Sequence, residues 1–444
     1  MIDIWNNPEY LKKIAQDILH EAALQGASAA EVDIGVNKGY SVTVRNADAE
    51  SVEYHQDKII ELTVYFGQRS GSASISDLRQ EAIQAAVKAA CNIAKFTDED
   101  PFAGLAPKEL LAFDYQDLNL SHPWNISVED AIALACECEA IALAKDKRIT
   151  AAENVAITTT AAWHVYANSN GFIGSYPATR HEISCVLIAK AKHDMQRNYY
   201  YTTSCDHDLL ESVTHVANQA VTRTIQRLGA KRLATQKVPV IYDAEEARGF
   251  LGHFVSAISG GNLYRKSSFL YDKLGETLFP KHIKIDERPF LPKSLGSAPF
   301  DGEGVKTREN VFIDQGVLKS YALGSYSARK LGMETTGNAG GVHNLFVSHS
   351  DMNLPALLKK MHTGLYVTEL MGQGLNLLTG DYSRGAAGFW VENGELQYPV
   401  EEITIAGNLQ KMYSQIEAIG NDVETRGNIR TGSILLSEVT IAGD

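Results

Sequence analysis

Residues Gly364–Leu409 read GLYVTELMGQGLNLLTGDYSRGAAGFWVENGELQYPVEEITIAGNL. The run is dense in glycine, yet it carries Tyr382, Phe389, Trp390 and several aliphatic residues. Aromatic and aliphatic side chains need a surface to bury against, so the run reads as ordered β structure and not as a flexible linker. Asn393-Gly394 inside it is a two-residue hairpin signal. Upstream, VPVIYD predicts a strand and residues 244–259 one clear helix, followed by short strands with glycine turns. The C-terminal half is therefore β-rich with one prominent helix.

The N-terminal half has another pattern. Pro8 to Leu24 shows helical apolar spacing and stops at Gly26-Ala27-Ser28. The runs EVDIGV, YSVTVR, SVEYHQ, KIIELTVYF and GSASIS predict successive antiparallel strands joined by tight turns. A helix over 79–94 follows, and Ser127-Val-Glu-Asp130 is a capping box that opens a helix to Lys145. Strands over 150–203 turn at Asn170-Gly171, and a helix covers 208–228. Helix followed by strands occurs twice, which suggests an internal duplication. The basic stretch 229–239 marks the boundary. The expectation is an α+β fold, with a mixed N-terminal domain over 1–228 and a β-rich domain over 238–444.

The net charge of −13 argues against sequence-independent nucleic-acid binding, which requires a basic face, and leaves room for a local basic groove. No apolar run approaches the ~20 residues of a membrane-spanning helix. Charges scattered through the first 22 residues do not form a secretory signal, so a cytoplasmic location is expected. The five cysteines all precede residue 206 and lack C-x-x-C spacing, which fits reduced structural thiols. The C-terminal half has no thiolate to offer a metal.

The blocks RKSSFLYDKLG (265–275), APFDGEG (298–304), SYSARKLGMETTGNAGGVHN (325–344) and TGDYSRGAAGFW (379–390) fall in order with the opening stretch. Together they resemble the TldD/PmbA metallopeptidase family, in its PmbA (TldE) branch. The resemblance implies a subunit of a two-chain cytoplasmic zinc peptidase that cuts unfolded or leader-type peptides. A TldD-like sister subunit would carry the zinc, and related subunits leave room for a homodimer when that partner is absent. A rival reading is a non-catalytic regulatory protein of the DNA gyrase modulator type. A third is a stand-alone peptidase with a different mechanism.

The predicted helix shows why a partner is needed. Asp243-Ala-Glu-Glu246 is a capping box, and Gly260-Gly261 predicts the stop. Ala247, Phe250, Leu251, Phe254, Val255 and Ile258 make one apolar stripe. The other side presents Arg248, Gly249, Gly252, His253 and Ser256. The resemblance places a His-Glu-x-x-x-His zinc motif of the sister subunit on these positions, where this chain has Arg248, Gly249 and His253. The family's third ligand, a cysteine near the C-terminus, has no counterpart in NIRTGSILLSEVTIAGD. A zinc hydrolase needs typically three ligands, an open water position and a base. No metal is expected on this chain. His253 is the one tentative catalytic residue, and its plainer reading is a hydrogen-bonded structural histidine. Gly249 and Gly252 each cost about 1 kcal/mol relative to alanine in a helix, which predicts close approach of another backbone at a subunit or domain contact.

Other candidates are weaker. His20-Glu21 is not followed by a second ligand, and His181 and Cys185 sit on a strand, roughly 13 Å apart. Asp301 and Glu303 share a glycine turn; they suit acid–base work or a hard cation, but solvated turn residues are the simpler reading. Arg329, Asn338, Glu369, Asp381 and Arg384 are suited to gripping a peptide, beside strand edges open to β-augmentation. Inter-strand salt bridges would use the same residues equally well. No nucleotide-binding loop or nucleophile elbow occurs.

Overall fold

The computed structural model describes residues 7–192 and 194–443; the first six residues of the N-terminal stretch just read lie outside them. The helix α1 (Pro8–Leu24) starts where Asn7 caps the Tyr10 amide and proline takes the first turn. Two long strands and a shorter one follow: β1 (Ala29–Arg45), β2 (Asp48–Phe66) and β3 (Arg69–Ile75). They replace the five short strands that the sequence predicts. Asn37-Lys38-Gly39 reads as a turn, yet Gly39 pairs with His55 on one side and Thr160 on the other. A Cβ at Gly39 would lie 2.0 Å from the Thr159 carbonyl oxygen, so the glycine admits a neighbouring backbone instead of breaking the strand.

Next come α2 (Gln80–Phe96), α3 (Val128–Lys145), β4 (Ile149–Asn168), β5 (Ile173–Ala191), β6 (Asp194–Ser204) and α4 (Val213–Gln226). Ser127 caps α3 as its sequence requires. The last helix begins five residues later than predicted, because residues 207–209 form a separate turn capped by Asp206. One antiparallel sheet runs in the order β3-β2-β1-β4-β5-β6. Two helix–three-strand–helix units thus meet along the β1–β4 pair, the arrangement a duplication would leave. Each has its own core, Leu11, Val32, Leu62 and Val87 in one and Ala135, Val155, Leu187 and Val216 in the other.

The C-terminal half is built around β7 (Gln236–Tyr242) and α5 (Ala244–Ile258). Strand Gly364–Met371 lies parallel to β7, which pairs with Ile434–Ala442, then Glu395–Asn408, then Asp381–Glu392. That last strand pairs back onto Gly364–Met371, so the path closes into a ring. The helix α5 lays Ala247, Phe250, Leu251, Phe254, Ala257 and Ile258 against this ring, with Val255 at the edge of the stripe. Phe250 stacks on Tyr242 at 5.2 Å. Gly260 does not end the helical path. Ser259 breaks it, and a short helix Gly260–Tyr264 follows, where Gly260 admits the Ser327 side chain. A second sheet of five short strands, including Ile285–Glu287 and Leu345–Val347, carries the loops 295–302 and 339–343. No described helix is long and apolar enough to cross a membrane.

Candidate functional site

The outward side of α5 forms the first part of the site. Asp243 caps the helix by accepting from the Glu246 amide at 2.8 Å. Burial pushes both the Asp243 and Glu246 carboxyls up to about 7. Two turns beyond Glu246, His253 sits half-buried with its ring 5.8 Å from that of Tyr382. Its Nε2 has no hydrogen-bond partner. Burial, and then the Arg384 guanidinium, hold the imidazole below its usual pKa.

These residues do not fit the zinc that the family resemblance implies for the sister subunit. One unpartnered imidazole is present, but a guanidinium stands within electrostatic reach of it. All five cysteines lie in the N-terminal half. Among the described residues, one group of metal-ligating side chains with suitable spacing is Asp206, His207 and Asp208. There the Lys293 ammonium already donates to Asp206 at 2.7 Å. The helix glycines also differ from expectation. A Cβ on Gly249 would meet nothing within 4 Å, and one on Gly252 only the Ile429 methyl at 4.0 Å. Among the described residues no backbone outside the helix approaches either; Gly249 borders open space and Gly252 the Ile429 methyl.

The raised carboxyls set a pH dependence. A folded pKa near 7 exceeds the unfolded value near 4, so the folded state holds these protons more tightly. The contribution is full at pH 4 and is lost as the pH rises through 7. Asp243→Asn keeps the capping acceptor but removes the titration. Stability should fall less between pH 5 and pH 8 in this variant than in the parent. The gain at pH 8 should be on the order of 1–2 kcal/mol, after discounting for partial exposure. Urea midpoints at the two pH values measure it, and parallel slopes would refute it.

A cleft of about 560 Å³ forms the second part, between the six-stranded sheet and α5. His164 of β4, Tyr176 and Arg180 of β5, Arg248 of α5, and Asp301 and Arg426 from loops line it. His164 Nε2 lies 2.7 Å from Asp33 Oδ2. Asp301 corrects the solvated-turn reading. It is buried and accepts from the amides of Glu303, Val305 and Ala339 at 2.9–3.0 Å. Burial first, then the Glu303 charge, push it up to about 7. Its neighbour Phe300 packs with Phe172 and Tyr176, and this aromatic cluster draws the turn inward.

The five residues suited to gripping a peptide are not brought together. Arg329 donates to the carbonyls of Phe102, Gly104 and Leu105 and holds that loop. Asn338 is buried, donating to Glu287 and Gly341. Glu369 is ion-paired with Arg227. Asp381 is exposed and accepts from Thr379 at 2.6 Å. Arg384 alone stands beside His253, donating to the Leu370 carbonyl at 3.2 Å. Sequence reasoning misses Asp33, His164, Arg180 and Arg426. The first three lie on long strands with nothing local to mark them.

Residues 30–94, 121–228 and 235–443 match, in order, domain 1, the central domain and the C-terminal domain of PmbA/TldA metallopeptidases. Metalloprotease PmbA of Escherichia coli O157:H7 is 48% identical over 423 residues, 95% of this chain and 94% of the relative. A candidate modulator of DNA gyrase from Bacteroides thetaiotaomicron has the same fold, with a TM-score of 0.93 and 27% identity over 98% of this chain and 99% of that one. TldE from Thermococcus kodakarensis, 20% identical, superposes with a TM-score of 0.83 over 97% of this chain and 100% of its own.

Proposed function

This chain belongs to the TldD/PmbA metallopeptidase family, and we propose that it serves there as the subunit without a zinc site, paired with a TldD-like sister chain that holds the metal. The α5 face carries this reading: His253 stands beside Arg384, without the second histidine, the carboxylate base or the thiolate of a hydrolytic centre. Peptide cleavage then belongs to the sister chain, and this chain completes the chamber that admits the substrate. Unfolded or leader-type peptides fit such a chamber, since a folded protein cannot thread into it. Five free thiols and the lack of a spanning helix among the described residues support a cytoplasmic setting. In the absence of the partner, pairing with a second copy uses the same surfaces.

Elemental analysis of the chain purified without a sister subunit tests the reading. Zinc well below one per chain is expected. One tightly held zinc per chain would overturn it. A solved relative that is a candidate modulator of DNA gyrase favours a second reading, a regulatory protein acting through protein contacts. Chelator-sensitive cleavage of an unfolded peptide by the reconstituted pair, and by neither chain alone, decides for the peptidase.

A further inference from the structure

Among the charged groups of the 560 Å³ cleft, Arg248 forms no ion pair, and the carboxylate of the lining, Asp301, is buried and already accepts from three backbone amides. The Arg248 Nε is buried with no partner, and no ion pair of Arg248 exists among the described residues. The carboxylate within electrostatic reach, Glu424, already accepts both oxygens' worth of hydrogen bonds from Arg426. Arg426 in turn also reaches Glu245. His343 is held by Glu287, and His164 Nε2 by Asp33. Arg180 sits at the rim, its side chain 60% exposed and 3.6 Å from Glu182. A Cβ at residue 427 would lie 2.3 Å from the Arg248 guanidinium, so Gly427 makes room for that arm to enter the cleft.

On the lining it shares with this cation lies the half-buried ring of Tyr176, backed by the buried Phe300. Phe300 meets Tyr176 at 5.3 Å and His164 at 5.9 Å between ring centres. A guanidinium fork beside an aromatic wall selects a ligand with a planar anion at one end and an apolar group next to it. A half-buried, unpaired guanidinium gains a strong charge-assisted bond when a carboxylate arrives.

We propose that the cleft binds the C-terminal carboxylate of a peptide, with Arg248 as its ion-pair partner and the Tyr176 ring against the last side chain. This deepens the reading of the chain as a substrate-admitting subunit and rests on it. The chain would hold a peptide by its tail while the sister subunit cuts upstream.

The test is fluorescence anisotropy on the chain alone, with a labelled unstructured octapeptide ending in leucine, as free acid and as carboxamide. The free acid should bind about tenfold more tightly. Arg248→Gln should abolish that difference, and Arg180→Gln should reduce it only two- to threefold. Arg248→Lys, which keeps charge but loses the fork, should retain part of it and guards against a folding defect in the glutamine variant. Equal binding of acid and amide, or an undiminished preference in Arg248→Gln, would overturn the proposal. Inorganic phosphate that displaces the peptide at equal or lower concentration would also overturn it, since the site would then be one for free anions. Zinc plays no part in this readout. A chain that carries stoichiometric zinc yet prefers the acid loses the subunit assignment and keeps the tail site; a zinc-free chain with no preference loses the tail site alone.

Discussion

Arg426→Ala is expected to cost about 3–5 kcal/mol of folding stability at pH 8, the range for removing one partner of a buried ion pair. Arg426 accounts for that size. Its guanidinium donates to Glu424 through Nε at 2.9 and 3.0 Å, to Glu245 at 3.3 Å and to the Tyr201 carbonyl at 2.7 Å. It also lies 4.9 Å and 4.5 Å from the ring centres of Tyr200 and Tyr201. The Arg426 and Glu424 side chains are only 12% and 9% exposed, so water cannot replace the lost partner. One residue from the C-terminal half thereby ties together β6, α5 and its own loop. Arg223 of α4 shares Glu245 at 2.8 Å. Burial raises the Glu424 pKa, but the bonds from Arg426 outweigh this and leave it below the usual value. In the parent, that contribution is present above the unfolded pKa and is lost as the pH falls through the lower folded value. Without Arg426 the sign reverses, because burial, the largest influence on Glu424, is then opposed by the weaker Arg248 charge. The deficit should therefore be smaller at pH 5 than at pH 8. Urea denaturation at both values reads it. A loss below about 1 kcal/mol, the size of a surface pair, would show that the network is solvated. Arg426→Lys should fall between, since lysine keeps the charge without the fork.

Local signals in this sequence translate well into local structure. Ser127 and Asp243 each cap the helix their positions imply, and Asn7 caps α1. Asn393 and Gly394 have φ of 55° and 77°, as a tight hairpin between paired strands needs. In several misreadings a tertiary contact outweighs a local preference. Gly39 and Gly260 look like punctuation, yet each makes room for a neighbour. Asp301 looks solvated because its turn is polar, while the Phe300 next to it is pulled into an aromatic cluster. The cleft was the least legible part. It joins β4, β5, α5 and the 426–428 loop, and no spacing in the chain records that they meet. What the sequence does show is that the C-terminal half has no cysteine, because an absent residue type requires no knowledge of the fold.

Two glycine substitutions separate what the fold needs from what lies outside it. Gly388→Ala should destabilise the chain by roughly 3 kcal/mol or more, beyond ordinary overpacking. A Cβ there would lie 1.9 Å from the Tyr366 carbonyl oxygen and 2.9 Å from Val367 Cα. Both are backbone atoms of the strand that closes the ring, so relief requires opening the Gly364–Met371 pairing. Gly249→Ala should do the opposite. The position is exposed, helical and bordered by open space, so alanine should stabilise the isolated chain by about 1 kcal/mol. A helix that carries this cost without an internal reason points to a reason beyond the chain. If the α5 face seats the sister subunit or the substrate path, the same variant should melt higher yet assemble or support cleavage less well. Thermal melting of the single chain and activity of the reconstituted pair measure the two effects independently. A Gly249→Ala chain that is more stable and fully active in the pair would remove α5 from the shared chamber.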